Sequence, residues 1–315
     1  GVEPRAEYIP TAQVGGEIGG SVGLHYHYGT LGQLQHGENY ATAYLRTIGA
    51  DLSRSRPLKV WPYKKGSTVK LFVLAGHRNM EGERAFVQEL KTLKGKAALL
   101  KDNPKIAYKY NLGGGYKTSN GWEPLGLTGY YDTFGPELSF AQILQGEFPG
   151  NIAIAKFTHS GSQIIDWTPE GSMAKSRHIY PKFIDFIKEA VQELEAKGHE
   201  GELTGIFYHL GENDMSFHPY RKQAAERLQA IIAQSRKDLE RPALKWYVSQ
   251  QPPTDDKSVN NIDVVANIAM AAAADPTFIH LKAFNLPPQE KKLVISTAGI
   301  VELGEFIAKS YLGRQ

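Results

Sequence analysis

From residue 69 onward the chain alternates short β-rich apolar runs with stretches of helical period, and this alternation restricts its fold more than any other feature. Strands separated by helices close into a parallel sheet covered by helices on both faces. Five strands are expected, at residues 69–75, 151–157, 203–209, 244–250 and 277–281, each a compact apolar stretch of the kind buried on both sides. Helices are expected at 137–146, 181–197, 220–239, 262–274 and 297–312. In the second of these, Phe183, Phe186, Ile187, Ala190, Val191 and Leu194 share one helical face, which should pack on the sheet. Residues 101–133 are rich in Gly, Tyr and Lys without a sustained period. They read as an excursion over the strand ends, where α/β folds bind ligands.

The first 60 residues do not follow this scheme, but they contain an internal match. Residues 28–45 align with residues 295–312 at one constant offset, sharing Thr, Gly, Gly, Glu, Ala, Tyr and Leu. One reading is two amphipathic helices with similar caps. The other is a partial copy of the closing strand-helix element, used through residues 20–50 to dock on a second copy, an upstream domain or another partner. The expected division is therefore an N-terminal segment and linker at 1–60 and an α/β domain at 61–315.

Composition removes several classes of function. The 315 residues are enough to bury a sizeable core, and 41% apolar with 22% charged residues describes a folded chain. The 36 basic and 33 acidic residues are mixed along the sequence, so there is no basic stripe for nucleic acid. No apolar run reaches the length of a membrane-spanning helix, and the start Gly1-Val2-Glu3-Pro4 suits a mature or trimmed form. With no cysteine, thiolate catalysis and Cys-ligated zinc are excluded. His25, His27 and His36, or His209 with Glu212 and Asp214, lack a recognised ligand spacing, so no metal or other cofactor is expected.

The chemistry-bearing candidates sit where strands end. Gly76-His77-Arg78-Asn79-Met80-Glu81-Gly82 follows the first strand as a strand-to-helix turn, whose free N–H groups can meet an anion or oxyanion. Ala155-Lys156-Phe157-Thr158-His159-Ser160-Gly161-Ser162 with Trp167, and Gly205-Ile206-Phe207-Tyr208-His209-Leu210-Gly211-Glu212-Asn213-Asp214, end two further strands. Together with Gly135-Pro136-Glu137 and Ser296-Thr297-Ala298-Gly299, these blocks resemble, in order and spacing, the sialate O-acetylesterase-like domain. That family is the carbohydrate esterase family six branch of the SGNH hydrolases. The resemblance covers about residues 69–312 and implies a three-layer, flavodoxin-like SGNH hydrolase fold. It further implies an exported, secreted or periplasmic protein in a carbohydrate context.

The departures from the family pattern bear on function. Arg78 occupies the position of the nucleophilic serine, and a guanidinium offers donors only. Lys291 and Val294 stand where the family has its Asp and His, and Leu210 replaces a glutamine. His27 falls on the repeat position of Val294, but Leu24 stands where its carboxylate would be. Without its triad such a site retains roughly 10³ to 10⁴-fold catalysis over water. The expectation is a catalytically degenerate, pseudoenzyme form of a carbohydrate esterase, acting as a glycan-binding or assembly module. Its pocket would comprise His77, Arg78, Asn79, Ser160, Gly161, Ser162, Trp167, His209 and Glu212, with a polysaccharide or an acetylated or anionic glycan as partner. Trp122, Tyr130, Tyr131 and Trp167 are candidates for stacking on sugar rings. The alternative is an active carbohydrate O-acetylesterase with rearranged residues, Ser160 or Ser162 serving as a displaced nucleophile.

Overall fold

The computed structural model describes residues 37, 40, 41, 44, 56–130, 132–148, 150–173, 177–216, 220–252, 264–287 and 294–314. The chain divides between Arg56 and Pro57. In the first unit Gly37, Tyr40, Ala41 and Tyr44 are helical and exposed. Apart from these four residues, the segments 28–45 and 20–50, with Leu24, His25, His27 and His36, lie outside the described residues, as do Tyr131 and Lys291.

The second unit is built on one sheet. Its strands are β1 (Thr68–Gly76), β2 (Asn103–Leu112), β3 (Lys117–Thr118), β4 (Glu123–Leu125), β5 (Asn151–Thr158), β6 (Glu200–His209), β7 (Trp246–Gln250) and β8 (Phe278–Lys282). They lie in the order β3-β2-β5-β1-β6-β7-β8, with β4 also on β2. The five expected strands, β5, β1, β6, β7 and β8, are contiguous and parallel. β2 adds a sixth parallel strand beside β5, and β3 and β4 pair antiparallel to β2. The excursion expected over 101–133 is thus largely sheet. What hid β2 is its polarity: Lys109 sits mid-strand between Tyr108 and Tyr110 yet is buried, its ammonium 2.6 Å from Glu193. A paired lysine in a strand erases the apolar signature without preventing burial.

The helices are α1 (Arg78–Glu81), α2 (Val87–Leu90), α3 (Glu137–Glu147), α4 (Tyr180–Ala196), α5 (Glu212–Ser216), α6 (Tyr220–Asp238), α7 (Val264–Ala273) and α8 (Thr297–Tyr311). β1 shows how they are layered. Leu71, Val73 and Ala75 join a core made with α4, α6 and α7, while Phe72 and Leu74 join the core made with α3 and α8. The period-two alternation of an all-apolar strand feeds two hydrophobic layers, which is the three-layer arrangement. α4 carries Phe183, Phe186, Ile187, Ala190 and Leu194 into the first layer, as their spacing predicts. α8 starts with Ser296, whose side chain accepts the Gly299 N–H at 3.1 Å.

One polar pair crosses the second layer. Lys156 of β5 and Glu137 of α3 are both fully buried, with Nζ 2.7 Å from Oε2; Nζ also donates to the Glu81 carbonyl at 3.1 Å. Breaking a buried pair leaves one charge uncompensated, at a cost of about 3–5 kcal/mol. Lys156→Met is therefore expected to lose about that much unfolding free energy in urea titrations, and Lys156→Met/Glu137→Leu to recover a large part of it.

Candidate functional site

The sheet order places β1 between β5 and β6, and the chain reaches the two neighbours by crossovers on either side of it. In such a sheet the crevice at the carboxyl ends of the central strands is the usual ligand position. Here Gly76, Thr158 and His209 are register partners at those ends. Gly76 is a glycine for a steric reason: its φ is +147°, and a Cβ would lie 2.6 Å from the His209 carbonyl. Gly82 closes α1 in the left-handed region at φ +89°, its N–H bonded to the Arg78 carbonyl. The intervening residues are thereby held over the strand ends.

Three clusters form there. In the first, His77 is buried and its Nδ1 lies 2.9 Å from the Ser162 carbonyl, a group that can only accept. Nδ1 therefore carries the proton, and Nε2 accepts from the Tyr208 hydroxyl. Ser162 Oγ donates to the His159 carbonyl at 2.6 Å and accepts from Trp167 Nε1 at 3.0 Å. The 2.9 Å contact between Ser162 Oγ and His77 Nδ1 accordingly meets a donor nitrogen, not a base. Burial drives the His77 pKa down to about 3. Trp167 is fully buried against His77, Phe157, Phe183 and Tyr208, so it anchors the turn instead of offering a sugar platform.

The second cluster surrounds Arg78. Its Nε lies 3.1 Å from Glu83 Oε2 and 3.2 Å from Glu212 Oε1, and the side chain is only 13% exposed. Ser160 Oγ donates to the same Glu83 oxygen. Burial opposes the guanidinium charge, but Glu83, Glu212 and Glu81 more than offset it, so the pKa of Arg78 lies above its ordinary value. Burial raises Glu83 and Glu212, and Arg78 pulls both back down. Arg78 is thus matched by carboxylates from two elements, which cancels the anion attraction expected of a lone cation in this pocket. Beside it, Glu81 Oε2 accepts from Thr158 Oγ1 at 3.0 Å and from the Gly113 and Ser160 N–H groups at 3.1 and 3.2 Å. Gly161, with φ +76°, turns the chain between the two serines.

In the third cluster Asn79 donates to Gln251 Oε1 at 2.7 Å, and its Oδ1 accepts the Ile295 N–H at 3.0 Å. That bond brings the start of α8, and Val294 beside it, to the same edge as the first block. His209 Nδ1 faces Ser249 Oγ at 2.8 Å, and burial lowers its pKa to about 4. Asp214 Oδ2 accepts the Ile164 N–H at 3.0 Å, and burial holds its carboxyl well above the ordinary value. His209, Glu212 and Asp214 thus serve three different partners. Among the described residues no group of three His, Asp or Glu side chains is placed for a metal ion.

Residues 68–313 match the family described as carbohydrate esterase, sialic acid-specific acetylesterase. The chain belongs to this esterase family. No curated protein matches its sequence. Among solved structures, a protein of Arabidopsis thaliana superposes with a TM-score of 0.57 at 18% identity, over 78% of this chain and 98% of that one. NanS gives 0.57 at 14% identity, over 80% and 98%. XAC1771, a carbohydrate acetylesterase from Xanthomonas citri, gives 0.51 at 15%, over 76% of this chain and 54% of its own. At these identities the likeness is one of fold, the SGNH-type α/β architecture of the esterase family. No helix among the described residues is long and apolar enough to cross a membrane.

Sequence reasoning named His77, Arg78, Asn79, Ser160, Gly161, Ser162, Trp167, His209 and Glu212 as a pocket; the structure gathers them about the carboxyl ends of β1, β5 and β6, with His77, Asn79, Ser160, Ser162, Trp167, His209 and Glu212 buried. It did not assign roles to Glu81, Glu83, Lys156, Tyr208 or Gln251. One signal was available: Lys156 interrupts an otherwise apolar strand, and a charge in a doubly covered strand implies a buried partner.

The buried imidazoles set a pH response. His77 and His209 have folded pKa values below the ordinary 6.5, so between about pH 4 and 6.5 the unfolded chain binds more protons. Their contribution is present above pH 6.5 and is lost as the pH falls, by about 1.4 kcal/mol per unit for each ring. The raised carboxyls of Glu83, Glu212 and Asp214 work in the opposite sense, losing stability as pH rises. The difference between wild type and His77→Gln isolates the first effect: urea titrations from pH 4.5 to 7.5 should give the variant the shallower acid limb.

Proposed function

We propose that this chain is a hydrolytically silent member of its esterase family, retaining the scaffold as an exported glycan-binding module. The observation that carries the reading is Arg78, clamped by Glu83 and Glu212 at the position where the family pattern has its nucleophilic serine. A permanently protonated group cannot attack an acyl carbon, and one held between two carboxylates cannot swing aside without leaving both charges unpaired. Val294, beside the residue that bonds Asn79, has no basic atom where a proton must be accepted.

The alternative, a rearranged O-acetylesterase, requires another serine with a base. Ser162 has committed its proton to a carbonyl and faces a protonated ring nitrogen. Ser160 donates to Glu83, whose same oxygen is already shared with the Arg78 guanidinium. Both serines are 2% exposed or less. An assembly role, through docking of residues 20–50, belongs to the first unit; light scattering of the chain with and without residues 1–56 addresses it, and a change in oligomeric state supports that role.

Purified protein is expected to release no acetate from O-acetylated sugars above the buffer rate. Arg78→Ser should not restore turnover, since the proton acceptor is still missing, and should lower stability by leaving Glu83 and Glu212 without a counter-charge. Acetate release by the wild type that disappears in Ser160→Ala or Ser162→Ala would sink the reading.

A further inference from the structure

Opposite the candidate site, at the amino ends of β6 and β7, the second unit has a hollow of about 480 Å³ that shares no residue with that site. Its volume is within the range of small-ligand sites. An irregularity of the sheet makes the room. β1 pairs Leu71 with Leu203 but Phe72 with Gly205, so Thr204 is an extra residue and β6 bends around it. At Gly205 a Cβ would lie 3.1 Å from the Lys245 carbonyl and 3.3 Å from the Tyr247 ring. Its absence lets Tyr247 lie against the strand, stacked on Phe207 at 4.6 Å, with the Tyr311 ring 5.9 Å from both. Packing fixes the two phenol rings, and both line the hollow.

The polar groups that reach this hollow are mostly donors. Neither the Tyr247 nor the Tyr311 hydroxyl has a hydrogen-bond partner among the described residues, and neither is shut off from solvent. Burial raises both above their ordinary pKa, which keeps them protonated. Lys70 and Glu202, bonded to each other, act on Tyr311 in opposite senses, and Tyr311 acts on Tyr247, so the two hydroxyls meet beside that ion pair. On the loop before β7, Arg241 and Lys245 are exposed, and neither enters an ion pair among the described residues. One Arg241 N–H reaches the Glu240 carbonyl at 3.3 Å; its other donors are free of side-chain partners. Two unmatched cations with two O–H donors call for an oxyanion. The exposed Glu202 carboxylate repels a densely charged ligand such as a phosphate dianion but accepts from a neutral hydroxyl. One negative charge among several hydroxyls on a compact ring is the chemistry of a uronic acid.

We infer that this hollow is a subsite for a carboxylated pyranose, a hexuronate unit of a polysaccharide. Arg241 and Lys245 hold the carboxylate, the Tyr247 and Tyr311 hydroxyls donate to other sugar oxygens, and Glu202 accepts a sugar hydroxyl. The exposed Pro242 and Ala243 form an apolar rim along which neighbouring units can run. The inference rests on the reading of the protein as a glycan binder and gives its ligand a charge; it does not depend on the loss of hydrolysis.

In calorimetry with the full-length protein, a galacturonate or glucuronate trisaccharide should bind, more weakly as sodium chloride is added, and the matching neutral trisaccharide should bind far less. Arg241→Glu/Lys245→Glu changes two exposed positions, and should weaken binding by about tenfold or more while leaving the thermal midpoint unchanged. Tyr247→Phe and Tyr311→Phe keep the rings and remove only the hydroxyls; each should lose roughly three- to tenfold. Uronate binding that is unchanged in the double glutamate variant would overturn the subsite and leave the glycan-binding reading intact, with the ligand elsewhere. The subsite also fails if the neutral trisaccharide binds equally well, if inorganic phosphate displaces the uronate at equal concentration, or if a glycan array gives hits but none with a uronate. An array without a single hit would remove the broader reading as well.

Discussion

Behind the end of the first strand, every buried charge has to find a partner. Arg78 and Lys156 bring two cations into a region containing Glu81, Glu83, Glu137 and Glu212, all nearly inaccessible to water. An isolated ion in such a place costs several kcal/mol, so each is held by an opposite charge or by several N–H and O–H donors. These bonds tie α1 to the turn after β5, to α3 and to the start of α5. The position of the strand-end residues therefore follows from electrostatic matching as much as from the sheet. A substitution at Arg78 is a change to the framework before it is a change to chemistry.

This matching also explains how a family scaffold can persist when the residues of its reaction do not. The turn glycines, the sheet order and the Asn79 bridge to the last helix depend on packing and backbone bonding. None of them depends on proton transfer. A guanidinium that replaces a small hydroxyl at a strand end must find partners or be expelled into solvent, and Glu83 and Glu212 supply them.

What could be read from the sequence divides along physical lines. The strands β5, β1, β6 and β7 were legible because their central residues are buried on both faces, and double burial leaves a largely apolar run; β8, only partly buried, showed itself as a short apolar stretch. β2 was not, because Lys109 and its tyrosines bury their carbon skeletons while presenting polar letters. The convergence of the Gly76, Ser160 and His209 blocks was legible because each follows a strand that had already been placed in a parallel sheet. The pairing of Arg78 with Glu83 was not. Glu83 is five residues on in the chain and beyond a helix-ending glycine, so its direction depends on a left-handed turn that spacing does not reveal. Trp122 was singled out as a sugar-stacking residue, but it lies against Trp61 on the α4 side, displaced from the strand ends by the unforeseen sheet extension.

The edges of the sheet have a bearing on how copies of the molecule can meet. Among the described residues the border at one end is β3, two residues long, and at the other it is β8, five residues long and closed by the exposed Lys282. Short, charged borders present few free N–H and C=O groups in a row, so one sheet cannot readily continue into the next. The helices and loops are then the more favourable surface for contact between copies of this domain, with side-chain complementarity setting both its strength and its choice of partner.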